Sequence, residues 1–264
     1  MIEVVQGGGP IVLGLPHSGT DVPADIWETL NETGRALADT DWHIDRLYNG
    51  LGHDVTTVRT PIHRYVIDVN RGPDDASLYP GQNTTGLCPL TDFDGRAIYL
   101  EDQEPDNAEI ARRRDTFHTP YHRALSTELA RVKAKHGAAI LYDCHSIRSV
   151  IPYLFERTLS DFNIGTNLST SCALSVERSV DMRCRAAQAY TSVLNGRFKG
   201  GWTTRQYGQP AENIHAIQME LAQSTYMDEA PPWRWRSDKA ERLRPILYRI
   251  LNDLTDLIHE RQIR

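Results

Sequence analysis

No two cysteines in this chain form a Cys-x-x-Cys pair, and its four, Cys88, Cys144, Cys172 and Cys184, are widely spaced. That argues against a zinc finger and against a disulfide scaffold, so reduced thiols are expected. No apolar run approaches a membrane span, and the opening Met1–Gln6 lacks the basic-then-apolar pattern of a secretory signal, so a cytoplasmic protein is expected. Positive charge is not in excess either. Against 35 Asp and Glu stand 29 Lys and Arg, a formal charge of -6 that offers no footprint for nucleic acid or an anionic membrane. A small-molecule substrate fits better, and the sequence is silent on oligomeric state. Two catalytic signatures are missing as well: Gly7-Gly8-Gly9-Pro10 lacks the Lys and Ser/Thr of a phosphate-binding loop, and no Gly-x-Ser-x-Gly elbow carries a serine nucleophile. Cys144 beside His145 does not make a Cys-His pair, because successive strand side chains diverge.

What is present is an ordinary globular composition, 40% hydrophobic and 24% charged over 264 residues, enough for one large core. A single domain spanning residues 1–264 is expected. The run from Ala138 to Leu141, entered through Gly137, reads as a strand buried on both faces of an α/β sheet, and it ends in Asp143-Cys144-His145-Ser146. Ile11 to Leu15 repeats the arrangement and ends in Pro16-His17-Ser18-Gly19. Ligands collect at the carboxyl ends of strands in such sheets, which makes His17 and His145 candidate metal ligands or bases, against the plain alternative of satisfied structural histidines. Asn213 to Ala222 alternates as a strand, with Ile217, Met219 and Leu221 on one side and Gln218 and Glu220 on the other. A carboxylate inside an apolar strand needs a partner, and desolvation would raise its pKa into the range of a general base or acid, so Glu220 is the candidate proton carrier.

Other segments fill in the outline. Thr40 is expected to cap a helix with Asp41 in its first turn and Ile44, Leu47, Tyr48 and Leu51 as its apolar stripe; Asp41 then either serves the helix dipole or joins the site. Asp54–Val58 and Arg64–Val69 read as consecutive strands around a Pro61 turn. From Gly72 to Arg96 the chain is irregular, with Pro73, Pro80, Gly81, Gly86, Pro89 and Gly95, and such a loop is usually functional or mobile. Glu104 to Lys135 is helical in character with a break or kink at Pro120, and His118 and His122 read as helix-surface or loop histidines because Pro120 lies between them and no Glu accompanies them as in His-Glu-x-x-His. Ile151–Phe155 and Phe162–Gly165 suggest short strands, Glu177–Leu194 a helix, and Lys239–Ile263 a closing amphipathic helix. The run from Asn195 to Gly208 combines cations, aromatics and glycines; it suits a loop facing a carboxylate substrate, or an exposed hairpin.

Six runs carry a resemblance. Leu15-Pro16-His17-Ser18-Gly19, Asp39-Thr40-Asp41-Trp42-His43-Ile44, Tyr65-Val66-Ile67-Asp68-Val69-Asn70-Arg71, Cys144-His145-Ser146-Ile147-Arg148-Ser149, Asn195-Gly196-Arg197-Phe198-Lys199-Gly200-Gly201 and Gln218–Met227 occur in order over nearly the whole chain. Together they resemble the N-formylglutamate deformylases, also called N-formylglutamate amidohydrolases, which are related to zinc carboxypeptidases and aspartoacylases. The resemblance implies an α/β fold, phosphorylase/hydrolase-like, with a mixed, mostly parallel central sheet and helices on both faces. It implies zinc held by His17, Asp41 and His145, with Asp39 or Asp45 as substitutes for Asp41. Glu220 would be the general base and acid acting on metal-activated water. Asn70 and Arg71 would grip one substrate carboxylate, and Arg197 or Arg205 the other. The implied reaction is hydrolysis of N-formyl-L-glutamate to formate and glutamate in histidine degradation. An N-acyl amino acid deacylase or carboxypeptidase-like hydrolase shares this chemistry, and a metal-dependent binding protein would share the ligands without the proton carrier.

Overall fold

A computed structural model describes residues 1–52, 54–77, 81, 83–260, 262 and 263. Its centre is a seven-stranded sheet of β1 (Glu3–Val5), β2 (Ile11–Leu15), β3 (Thr56–Arg59), β4 (Ala139–Ile147), β5 (Phe162–Gly165), β6 (Ser192–Leu194) and β7 (Ile214–Ala222), in the order β1-β3-β2-β4-β7-β5-β6. The β3–β2, β2–β4, β4–β7 and β5–β6 pairs are parallel, while β1–β3 and β5–β7 are antiparallel. The sheet is therefore mixed and mostly parallel, as expected.

Eight α-helices flank it among the described residues: α1 (Ala24–Trp27), α2 (Glu32–Arg35), α3 (Ile44–Tyr48), α4 (Asn107–Arg113), α5 (Thr119–His136), α6 (Leu174–Ala186), α7 (Trp202–Tyr207) and α8 (Ser237–His259). On one face Ile140, Tyr142, Cys144, Ile217, Met219 and Leu221 pack against α3, α6 and α8. On the other, Val12, Ala139, Leu141 and Ala216 pack against Tyr121, Leu125, Leu129 and Val132 of α5. The α8 stripe is buried at Leu243, Leu247, Ile250, Leu251 and Leu254, with Ile246 and Leu257 half-buried at its margin. Each such side chain contributes about 1.5–3 kcal/mol, so α8 clamps its face of the sheet as an amphipathic helix should. Gly137 closes α5 with φ 83°, a left-handed cap that turns the chain straight into β4.

The structure departs from the sequence expectation at several places. Arg64–Val69 forms turns instead of a strand. Both edges of β3 are already taken, by β1 and β2, so the sheet has no place for it there. Ile151–Phe155 also turns, with the N–H groups of Leu154 and Phe155 both bonded to Ile151 O. The helix expected over Glu177–Leu194 runs instead from Leu174 to Ala186, and β6 follows. Thr40 does not cap α3: its hydroxyl donates to Leu37 O, and His43, at φ 61°, precedes the helix. Pro120 does not break its helix; it sits in the first turn of α5, after a π-helical turn over Arg114–His118. The expected loop over residues 72–96 is irregular where described, and residues 78–80 and 82 lie outside the described residues. No helix among the described residues is long and apolar enough to cross a membrane.

Candidate active site

The site lies where the carboxyl ends of β2, β4 and β7 meet. His17 follows β2, while His145 lies inside β4, which continues two residues beyond it. In the parallel register of β4 and β7, Asp143 pairs with Gln218 and His145 with Glu220, so these four side chains share one face at one end of the sheet. The chain reaches the third member, Asp41, by a backbone bond from Asp41 N to His17 O, 3.0 Å.

His17, Asp41 and His145 bring one donor atom each within 4.8 Å of one another, and all three are buried. Nδ1 of His17 stands 3.2 Å from Nδ1 of His145, and Asp41 Oδ2 lies 3.8 and 3.4 Å from them. Ser146 N donates to the same Asp41 oxygen, while Asp41 Oδ1 is buried without a hydrogen-bond partner. The outward nitrogens meet two further carboxylates. His17 Nε2 is 2.7 Å from Asp68 Oδ1, and His145 Nε2 is 3.0 Å from Asp143 Oδ2, an ion-pair contact without hydrogen-bond alignment. Gly14 leaves the room for this: a Cβ there would stand 3.0 Å from Asp143 Oδ1. The Asp68 carboxylate behind His17 places that ring's proton on Nε2 and turns its Nδ1 inward, the arrangement of a metal-ligating histidine; His145 also turns Nδ1 inward, with Asn70 Nδ2 3.3 Å from its Nε2.

The electrostatics follow from burial and these pairs. Burial and the Arg64 guanidinium hold His17 below its usual pKa. Burial also works against a charged His145, yet the carboxylates of Asp143, Asp41 and Glu220 outweigh it and push that imidazole well above its usual range. Asp68, against its own burial, is held well below the usual carboxylate range by His17, Arg64 and Arg71. Burial is the main force on Glu220 and raises its carboxyl well above the ordinary value, with Asp41 adding to it and His145, Arg64 and Gln218 opposing.

A cleft beside the cluster is lined by His17, Arg64, Asn70, Arg71, Phe93, His145, Arg197, Gly201, Gln218 and Glu220, among others. Of the residues expected from sequence, His17, His145, Glu220, Asn70, Arg71 and Arg197 all border it, and Asp41 stands behind the two imidazoles. Arg205 does not border it; on α7, its Nε donates to Gly200 O. The alternatives to Asp41 lie elsewhere: Asp39 accepts from Tyr65 OH and Phe93 N, and Asp45 is 44% exposed near Arg59. Arg71 is held by Thr85, from Nε to its carbonyl at 2.8 Å and from Nη2 to its hydroxyl at 3.2 Å. Arg197 donates to Leu154 O and Asn83 O. His118 and His122 support the binding segment from below: their Nε2 atoms stand 2.9 Å from Arg71 O and 2.8 Å from Val69 O.

Sequence reasoning passed over three groups. Arg64 stacks over the Phe93 ring at 4.7 Å, bonds Asp68 at 2.7 Å and leaves Nε buried without a partner. Asp68 joins His17, Arg64 and the backbone N–H of Asn70. Asp143 could have been found from the two-residue period that puts it on the side of His145; the misread strand over Arg64–Val69 hid the other two.

Fold and site together define an α/β protein with a mixed sheet whose strand ends gather two imidazoles and a carboxylate beside a buried glutamate. The family model of the N-formylglutamate amidohydrolases matches residues 9–227, and the chain belongs to that family. It is 47% identical over 257 residues to the N-formylglutamate deformylase of Pseudomonas aeruginosa, covering 96% of each chain. To the Pseudomonas putida enzyme of the same name it is 44% identical, over 94% of this chain and 93% of the other. Among solved structures, the N-formylglutamate amidohydrolase of Ralstonia eutropha JMP134 superposes with a TM-score of 0.82 at 26% identity, covering 98% of both chains. A gene product of Agrobacterium tumefaciens shares the fold at a TM-score of 0.67 and 18% identity, covering 97% of this chain and 95% of that one.

Proposed function

We propose that this chain hydrolyses N-formyl-L-glutamate to formate and glutamate, as a step of histidine degradation, with zinc held by His17, Asp41 and His145. The observation that carries the reading is the convergence of two inward imidazole nitrogens and a carboxylate next to a buried glutamate in an arginine-lined cleft. The donor set fits the ion: donors around tetrahedral zinc at about 2.0–2.1 Å stand about 3.3 Å apart, close to the separations of 3.2, 3.4 and 3.8 Å. Asp41 Oδ2 and the two Nδ1 atoms face one another in the buried interior, a spot that a cation would satisfy. The names of the two Pseudomonas relatives support the substrate.

In this reading zinc, when bound, supplies a Lewis acid for the formyl oxygen and makes water more acidic. The chain does the rest. Arg71, braced by Thr85, pairs with one substrate carboxylate through its planar guanidinium, with Asn70 beside it, and Arg197 serves the other. Glu220, its carboxyl made more basic by burial, takes a proton from the attacking water. As the carbon–nitrogen bond breaks, it hands that proton to the departing amine nitrogen, so the products leave as formate and glutamate. Arg64 is the cation placed to offset negative charge growing on the formyl oxygen.

The test is formate release from N-formyl-L-glutamate before chelation, after chelation and after zinc is returned, with N-acetyl-L-glutamate in parallel. Release that stops on chelation and returns with zinc is expected. Release untouched by chelation would remove the metal from the reading, and preference for the acetyl substrate would make the chain an N-acyl amino acid deacylase.

A further inference from the structure

We propose that Gln218 is a positioning residue for Glu220, tying its carboxylate to the Gly201 end of the loop that carries Arg197. The proposal rests on the amidohydrolase reading above. Gln218 and Glu220 lie two residues apart on β7 and point the same way, and Gln218 is 3% exposed. Its Oε1 accepts from Gly201 N at 2.6 Å, and its Nε2 donates to Glu220 Oε2 at 3.0 Å. The orientation of this amide is determined by its neighbours. A backbone N–H only donates, so the end facing Gly201 must be the oxygen, and the NH2 is left facing the carboxylate.

Gly201 brings the loop close enough for this contact. A Cβ at residue 201 would fall 2.3–2.7 Å from the side-chain atoms of Asn70, so only glycine fits between Asn70 and Gln218. Gly201 also precedes α7, where Thr203 N donates to Asn70 Oδ1 at 3.0 Å. A line of contacts therefore runs from Asn70, through Gly201 and Gln218, to Glu220. With Oε2 held by the amide, Oε1 is the oxygen that takes the proton from water, and its direction is set by the wall that receives the substrate.

The bland alternative is that Gln218 only anchors Gly201, and two substitutions separate the roles. Gln218→Glu keeps an acceptor for Gly201 N and replaces the donor to Glu220 with a second carboxylate; Gln218→Met keeps the length and removes both. For Gln218→Glu we expect kcat to fall about 10–100-fold with KM within about 3-fold, the scale of a misaimed catalytic group. Gln218→Met should lose as much kcat and raise KM as well. In a Glu220→Gln background, either substitution should cost less than about 2-fold in the residual kcat, because the group it aims is gone. Wild-type kcat in Gln218→Glu, or an undiminished loss in the Glu220→Gln background, would overturn the proposal. Should Gln218→Glu not fold, the Gln218→Met pair with and without Glu220→Gln decides alone. The wild-type chain is the control that separates the two readings: no formate from it sinks the amidohydrolase reading, whereas normal turnover with unaffected Gln218 variants sinks only this inference.

Discussion

Along β4 and β7, Cys144, Met219 and Leu221 face α6 and α8 among aliphatic neighbours, whereas His145, Gln218 and Glu220, one step away on the same backbone, line the cleft, with Asp143 on the same face behind His145. Both sets are buried, yet they are held by different forces. The apolar set needs only exclusion of water, and its packing pins the register of the two strands. The polar set would be costly to bury singly, so it exists as pairs: His17 with Asp68, His145 with Asp143 and Asp41, Glu220 with Gln218. At the carboxyl ends of these two strands the apolar packing and the candidate site thus lie on opposite faces, and substitutions on each should report on different quantities.

The largest effect belongs to the cleft face. Glu220→Gln should lower kcat about 10²–10⁴-fold, the usual contribution of a general base, with metal content and thermal midpoint preserved. Near-normal formate release by this variant would remove Glu220 from its role. On the opposite face, Met219→Ala should cost about 2–5 kcal/mol in urea unfolding while kcat per folded molecule stays within about 3-fold. A collapse of kcat in the folded fraction would show that the faces are not separable. Asp68→Asn keeps an acceptor for His17 but loses the charge; zinc affinity, measured by competition with a chelator, should drop about 10–100-fold. Unchanged affinity would confine Asp68 to the Asn70–Arg71 segment.

The last effect is one of pH. Burial, reinforced by the neighbouring His118, lowers the pKa of His122 to about 3, against 6.5 for a free imidazole. Between these values the unfolded chain binds the proton more readily than the folded one, so this group favours folding less and less as pH falls from about 6.5 toward 3. Its slope is at most about 1.4 kcal/mol per pH unit. His122→Gln should flatten the urea midpoint between pH 6.5 and 4 relative to wild type. Parallel pH curves for the two proteins would show that His122 is not a source of acid lability.

The division between faces was legible from β7 itself, where a period of two separates Ile217, Met219 and Leu221 from Gln218 and Glu220. The placement of His17 and His145 near strand ends followed from the apolar runs before them, although β4 extends through His145 to Ile147. The Arg64–Val69 segment misled because its β-branched content is that of a strand, while the folded chain satisfies it with local bonds: Arg64 to Asp68, and Asp68 to the N–H of Asn70. Local pattern carries no record of which sheet edges are already filled. Nor could spacing choose among Asp39, Asp41 and Asp45, because the choice depends on a backbone bond from Asp41 to His17 across a loop.

The π-helical turn over Arg114–His118 sets how tolerant the long helix is to changes in length. Buried positions step from Arg113 to His118, five residues, and then to Tyr121, Leu125, Leu129 and Val132 at the three- and four-residue strides of an α-helix. Loss of one residue within that turn would restore a four-residue stride and leave both flanks in phase. Loss of one between Arg123 and Thr127 would rotate everything beyond it by about 100°, turning Leu129 and Val132 away from the sheet. Natural or engineered deletions in this helix should therefore survive at the π-turn and not between Arg123 and Thr127.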